Sequence, residues 1–215
     1  MSGTEECGTR KPIDIGFILD ESGSVKPSDW LKMKDFTKII AEAVKINGSL
    51  ESEGARASVV TFSDSSILRI KFNAHEFYDS FASGVDLLSQ RGGGTNIIDA
   101  LNRGLDEMFV TSNGMRKDNE KTAIIITDGK DSNDISMYKE VAAKYQDRNI
   151  KLLVVGVGAI DREKLKALVG DQMDFFVAEN FDQLQKTLVK EIAKDVQGVC
   201  QGKSIFIDLY ISICM

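Results

Sequence analysis

Three stretches of this chain are almost continuously apolar and rich in β-branched residues: Ile13–Leu19, Thr122–Thr127 ("TAIIIT") and Ile150–Val157. A strand with one face in water alternates apolar and polar residues. A run without alternation is buried on both faces, as in a parallel sheet covered by helices. Segments with helical spacing lie between and around these runs. Pro27, Ser28 and Asp29 start a helix whose inner row is Trp30, Met33, Phe36, Ile39, Ile40, Ala43 and Val44. Further helices are expected over Glu76–Leu88, over Ile97–Phe109 with Ile98, Leu101, Leu105 and Met108 on one side, over Ile135–Gln146, over Asp161–Val169 and over Phe181–Val196. Ala57–Phe62 and Ile67–Phe72 read as a hairpin about Ser63-Asp64-Ser65-Ser66, and Phe175–Ala178 as a last strand. The expected architecture is α/β: a doubly wound, mostly parallel six-stranded sheet with one antiparallel edge strand and helices on both faces.

Composition narrows the function. The chain has 215 residues, 42% of them hydrophobic and 28% charged, enough for a real core under a soluble surface. The formal charge of -6 argues against nucleic acid as a partner. No apolar run is long enough to cross a membrane, and the apolar tail SIFIDLYISICM is short and broken by Asp208. The first residues, MSGTEECGTRKP, contain no apolar core of signal-peptide length. A single histidine, His75, rules out a His-rich metal site and argues against a catalytic triad; it reads as a surface or helix-start residue. Three cysteines are present and no CxxC. Cys7 precedes the first strand and Cys200 follows the last helix. A bridge between them would close a loop of roughly 190 residues, worth about 4–5 kcal/mol in the chain-entropy model; two free thiols are the alternative. Cys214 is left over, and Asn47-Gly48-Ser49 is a glycosylation sequon. The expected division is an N-terminal segment 1–12, a domain 13–199 and a tail 200–215.

In doubly wound sheets ligands bind beyond the carboxyl ends of the strands, at the point where the strand order reverses. Asp20 ends the first strand and Asp128 follows another, so both are expected on that rim. Asp20, Ser22 and Ser24 in "LDESGS", Thr95 in "GGGTN" and Asp128 in "ITDG" all offer hard oxygen atoms. Two carboxylates and three hydroxyls, with no soft donor and no imidazole, suit Mg²⁺, with Mn²⁺ or Ca²⁺ as alternatives. So few protein charges leave a divalent ion electrophilic and short of ligands, ready for an acidic group from elsewhere. Asp131 and Asp134 are expected to solvate a loop near Asp128, and Asn96 and Glu21 to steer loops or a partner.

This pattern resembles the metal-ion-dependent adhesion site of von Willebrand factor type A domains. The family's Asp-x-Ser-x-Ser with a distant Thr and a distant Asp matches Asp20, Ser22, Ser24, Thr95 and Asp128. "GFILDESGSV", "GGGTNIIDAL", "IIITDGKDS" and "LLVVGVG" are similar to the family's corresponding segments, and the resemblance covers Ile13 to about Val199. It implies a Rossmann-like fold and a binding module, not an enzyme. It implies that the two serines hold the metal directly, that Thr95 and one Asp alternate between direct and water-mediated contact, and that an exposed Glu or Asp of a protein partner completes the shell. Collagen or another matrix protein is the implied partner, in an extracellular or cell-surface setting with the ends bridged as Cys7 and Cys200 allow. An intracellular scaffold of the same fold is the alternative. In integrin-type relatives the last helix slides, which here would move Leu184, Leu188 and Ile192. The segment between Thr95 and Asp128 is too short for the extra helix of collagen-binding integrin domains.

Rival chemistries fit less well. A haloacid-dehalogenase-like phosphatase needs Asp-x-Asp, and Ser22 stands where the general acid would be. "VVGVGAID" would put Asp161 where a dinucleotide loop has its third glycine, and "GGGTN" lacks the lysine of a P-loop.

Overall fold

The computed structural model describes residues 12–44, 54–169 and 174–184. Six strands form one sheet: β1 (Ile13–Asp20), β2 (Arg56–Phe62), β3 (Ser66–Ile70), β4 (Glu120–Thr127), β5 (Lys151–Val157) and β6 (Phe175–Ala178). Their spatial order is β3-β2-β1-β4-β5-β6. Only the β2–β3 edge pair is antiparallel. The helices are α1 (Pro27–Ala43), α2 (Tyr78–Asp86), α3 (Ile97–Arg103), α4 (Ile135–Asp147), α5 (Arg162–Lys166) and α6 (Phe181–Gln183). No helix among the described residues is long and apolar enough to cross a membrane.

The chain leaves β1 toward β2 on one side and later returns to β4 on the other. The order therefore reverses between β1 and β4, and a crevice opens beyond their carboxyl ends. Side-chain alternation along β1 divides the core. Ile13, Ile15, Phe17 and Leu19 pack with Trp30, Met33, Phe36 and Ile40 of α1 on one face. Ile18 joins Leu101, Leu105, Tyr138 and Val141 on the other. Every residue of β1 is buried, and each such large apolar side chain contributes about 1.5–3 kcal/mol relative to exposure. That burial makes β1 a rigid mount for whatever follows it.

Some expectations need correction. Ile39 is 37% exposed, because the inner face of α1 is narrower than its apolar count and is completed by Thr37 and Lys34. Lys34 reaches carbonyls at the end of α2, Asp86 O at 2.9 Å and Leu88 O at 3.4 Å. The helix expected through Phe109 changes character at Gly104. Residues Gly104–Met108 form a π turn, closed by Phe109 N donating to Gly104 O at 2.9 Å. A Cβ at Gly104 would overlap the Tyr145 hydroxyl, which donates to Leu101 O at 2.9 Å. Close approach of α4 thus accounts for both the glycine and the widened turn. Helices α2 and α5 are shorter at both ends than the periodicity predicts, and at the start of α5 the Asp161 side chain caps by accepting from Lys164 N.

Candidate metal centre

β1 delivers Asp20 to the crevice fully buried. Its carboxylate accepts from Ser22 N at 2.9 Å and from Thr127 Oγ1, at the end of β4, at 2.6 Å. Ser22 Oγ lies 2.9 Å from Ser24 Oγ, and Ser24 Oγ donates to Asp128 Oδ1 at 2.7 Å. Thr95 arrives from the other side. A Cβ on Gly129 would lie 2.9 Å from Thr95 Oγ1 and 3.2 Å from Asp20 Oδ2. Only glycine lets Thr95 and Asp20 crowd the backbone there. Asp20, Ser22, Ser24 and Asp128, separated by up to 108 positions, thus gather at one rim with Thr95 beside them.

The loops that carry these residues are stitched together by backbone bonds. Glu21 N donates to Phe62 O, Gly92 N to Glu21 O and Gly23 N to Gly93 O, at 2.8, 3.0 and 2.9 Å. Gly92 and Gly93 have φ of 75° and 96°, the left-handed region that favours glycine. Asp64 accepts from Gly94 N at 2.9 Å, and Gln90 Nε2 donates to Ser22 O and Val25 O at 3.0 and 2.7 Å.

Burial pushes the Asp20 carboxyl up to about 6, although hydrogen bonds from Ser22 and Thr127 pull it down. Burial raises Asp128 as well, partly offset by the Ser24 hydroxyl. Among the described residues neither carboxylate has a cationic partner. Two carboxylates, Asp20 fully buried and Asp128 half-buried, with only hydroxyls and amides for company, form a donor set that fits a hard divalent cation. The fit lies in the chemistry of the oxygens and in the missing positive charge.

Other residues play parts that periodicity does not reveal. Asp131, expected to solvate a loop, has a side chain only 1% exposed. It accepts from Ile97 N at the start of α3 and from Asn133 N and Nδ2, and it hydrogen-bonds Tyr138. It therefore ties the loop after β4 to the helix that follows Thr95. Asp134 N-caps α4 through Ser136 N, and Asn96 N-caps α3 through Asp99 N. Glu21 is buried and faces Thr61, Arg69 and Arg91. Thr127 is readable in retrospect as the last residue of a strand beside Asp20. His75 is half-buried against Phe81, its ring edge-on at 6.2 Å. Cys7, Cys200, Cys214, Asn47, Leu188 and Ile192 lie outside the described residues.

Comparison with known proteins bears on this arrangement. The model of the von Willebrand factor type A domain matches residues 14–191. The collagen alpha-4(VI) chain of Mus musculus is 30% identical over 99% of this chain and 9% of its own length. Integrin alpha-X of Mus musculus is 30% identical over 97% of this chain and 18% of its own length. Among solved structures, proximal thread matrix protein 1 from the mussel byssus, with a zinc-occupied MIDAS motif, superposes with a TM-score of 0.78 at 22% identity. That match covers 87% of this chain and 46% of the mussel chain. This chain spans less than half the length of each of these relatives. The match of a single family model over most of the sequence, on a sheet of this order, shows that the chain belongs to the von Willebrand factor type A domain family.

Proposed function

We propose that this protein is a divalent-cation-dependent binding module that captures an acidic group of a protein partner, in adhesion or extracellular matrix. Asp20, Ser22, Ser24, Thr95 and Asp128 would hold the ion, Mg²⁺ first, with Mn²⁺ or Ca²⁺ as alternatives. The observation that carries this reading is the pair of desolvated carboxylates, Asp20 and Asp128, with no cationic partner among the described residues. A bound cation would supply a Lewis-acidic centre able to attract a partner's carboxylate. The chain's own contribution is to hold two carboxylates and three hydroxyls at strand ends and on loops bonded to them, so that little freedom is lost on binding. A collagen and an integrin chain among the relatives, and a matrix protein among the similar folds, support a matrix or cell-surface setting. A collagen or another matrix protein with an exposed Glu or Asp is the partner to try first.

The test is calorimetry. Mg²⁺ should bind the wild-type protein and fail to bind Asp20→Ala, whose fold should persist because a rim carboxylate is removed and no apolar core is emptied. Mg²⁺ binding to Asp20→Ala as tight as to wild type would refute the proposal. A collagen pull-down with and without chelator then tests the partner: capture that ignores the chelator excludes a metal-bridged contact.

A further inference from the structure

We propose that Arg91 and Glu21 are positioning residues: their ion pair clamps the glycine loop that carries Thr95 onto the end of β1. The inference rests on the metal-binding reading above and adds how that site is held in shape. Glu21 lies between Asp20 and Ser22, and its side chain is fully buried. It accepts from Thr61 Oγ1 at 2.8 Å, from Arg91 Nε at 2.5 Å and, more loosely, from Arg69 Nη2 at 3.4 Å. Its backbone is engaged on both sides, by Phe62 O and by Gly92 N. Arg91 also reaches Ser65 O at 2.6 Å through Nη2. One guanidinium therefore joins three segments: the β2–β3 turn, the end of β1 and its own glycine loop.

The loop needs such an anchor. Gly92, Gly93 and Gly94 have no side chains to pack, two of them sit at positive φ, and glycine loses more freedom on ordering than any other residue. Backbone bonds hold Gly92 to Glu21 and Gly93 to Gly23, and the side-chain anchors are Arg91 on one flank and Asp64, which accepts from Gly94 N, on the other. Thr95 follows at once, so an error in the loop moves its hydroxyl away from Asp20. A forked, planar guanidinium suits this role because it serves Glu21 and Ser65 together, which a lysine ammonium cannot do in the same geometry.

Charge gives the test a decisive sign. Glu21 faces two arginines, so the cluster carries a surplus positive charge beside a site for cations. Removing the charge of Arg91 should, on Coulomb grounds alone, leave Mg²⁺ binding unchanged or tighter. Removing a clamp should weaken it, and lost supporting contacts of metal ligands typically cost about 10- to 100-fold in affinity. Mg²⁺ affinity is measured by calorimetry on wild type, Arg91→Met and Arg91→Lys. Amide hydrogen exchange of Gly23, Gly92 and Gly94 is measured on the same three proteins in chelator. The expected result is weaker binding and faster exchange in Arg91→Met, with partial recovery of both in Arg91→Lys. Unchanged or tighter binding by Arg91→Met overturns the clamp. Exchange also separates the two proposals: if wild type binds no Mg²⁺ the function reading fails, and unchanged exchange in Arg91→Met then rejects the clamp as well.

Discussion

Strand β1 carries a buried carboxylate at each end, and the two are treated in opposite ways. Asp14, at the amino end, is fully buried and bound by Arg116, whose Nε lies 2.8 Å from Oδ1 and whose backbone N donates to Oδ2 at 2.6 Å. Asp20, at the carboxyl end, is equally buried, yet its partners are neutral: an amide and a hydroxyl. Glu21, one residue on, again meets arginines. Burying a carboxylate is costly unless a charge or strong donors compensate it. The protein supplies that charge at Asp14 and Glu21 and withholds it at Asp20. The first pattern belongs to structure; the second leaves Asp20 without a charged partner among the described residues.

Breaking the structural pair should produce the largest effect. Arg116→Ala leaves Asp14 buried without its guanidinium, and a buried pair broken on one side costs about 3–5 kcal/mol. Denaturant unfolding should register that loss while the Mg²⁺ affinity of the remaining folded protein stays as in wild type. A small stability change would mean that Asp14 is no less tolerant of isolation than Asp20.

The carboxyl end should make stability depend on pH. Folding raises the Asp20 carboxyl to about 6, so the folded state binds that proton more tightly than the unfolded chain does. In chelator, ionising Asp20 therefore destabilises the fold progressively as pH rises from about 4 to 6, by roughly 3 kcal/mol in full. Asp20→Asn cannot ionise and escapes this. Its stability relative to wild type should rise across that window, read from unfolding curves at several pH values. A flat or falling difference would show that the Asp20 carboxylate is compensated within the protein.

A smaller effect sharpens the geometry. Gly129→Ala puts a methyl 2.9 Å from Thr95 Oγ1 and Cγ2. Overpacking of this kind costs about 1–3 kcal/mol in a tight site, and less where a surface loop yields. The melting temperature should fall slightly and Mg²⁺ affinity more, because Thr95 is the group displaced. Equal affinity in Gly129→Ala and wild type would detach Thr95 from the cation site.

Much of this is legible in the sequence. The unbroken apolar runs required a sheet covered on both faces, and Asp20 and Asp128 stood at strand ends where such sheets bind ligands. Asp20, Ser22, Ser24 and Asp128 end or follow buried strands and, with Thr95 of the glycine loop, offer hard oxygen atoms. Glu21 and Asp131 were harder to read. Glu21 looked like a neighbour of the motif, but its partners Arg69 and Arg91 come from 48 and 70 residues away. Asp131 looked solvated, yet it caps a helix 34 residues earlier in the chain.

The sequence by itself determined the alternation of strands and helices, the buried faces and the chemistry available at the rim. These follow from local periodicity and residue type, which a chain carries wherever it folds. The tertiary structure alone decided the order of the strands, the π turn where Gly104 meets Tyr145, and which buried carboxylates receive an arginine. Those outcomes depend on contacts between residues far apart in the chain. Local pattern sets which strands are buried, whereas the burial of a loop carboxylate such as Asp131 and the distance to the next guanidinium exist only once the chain has closed on itself.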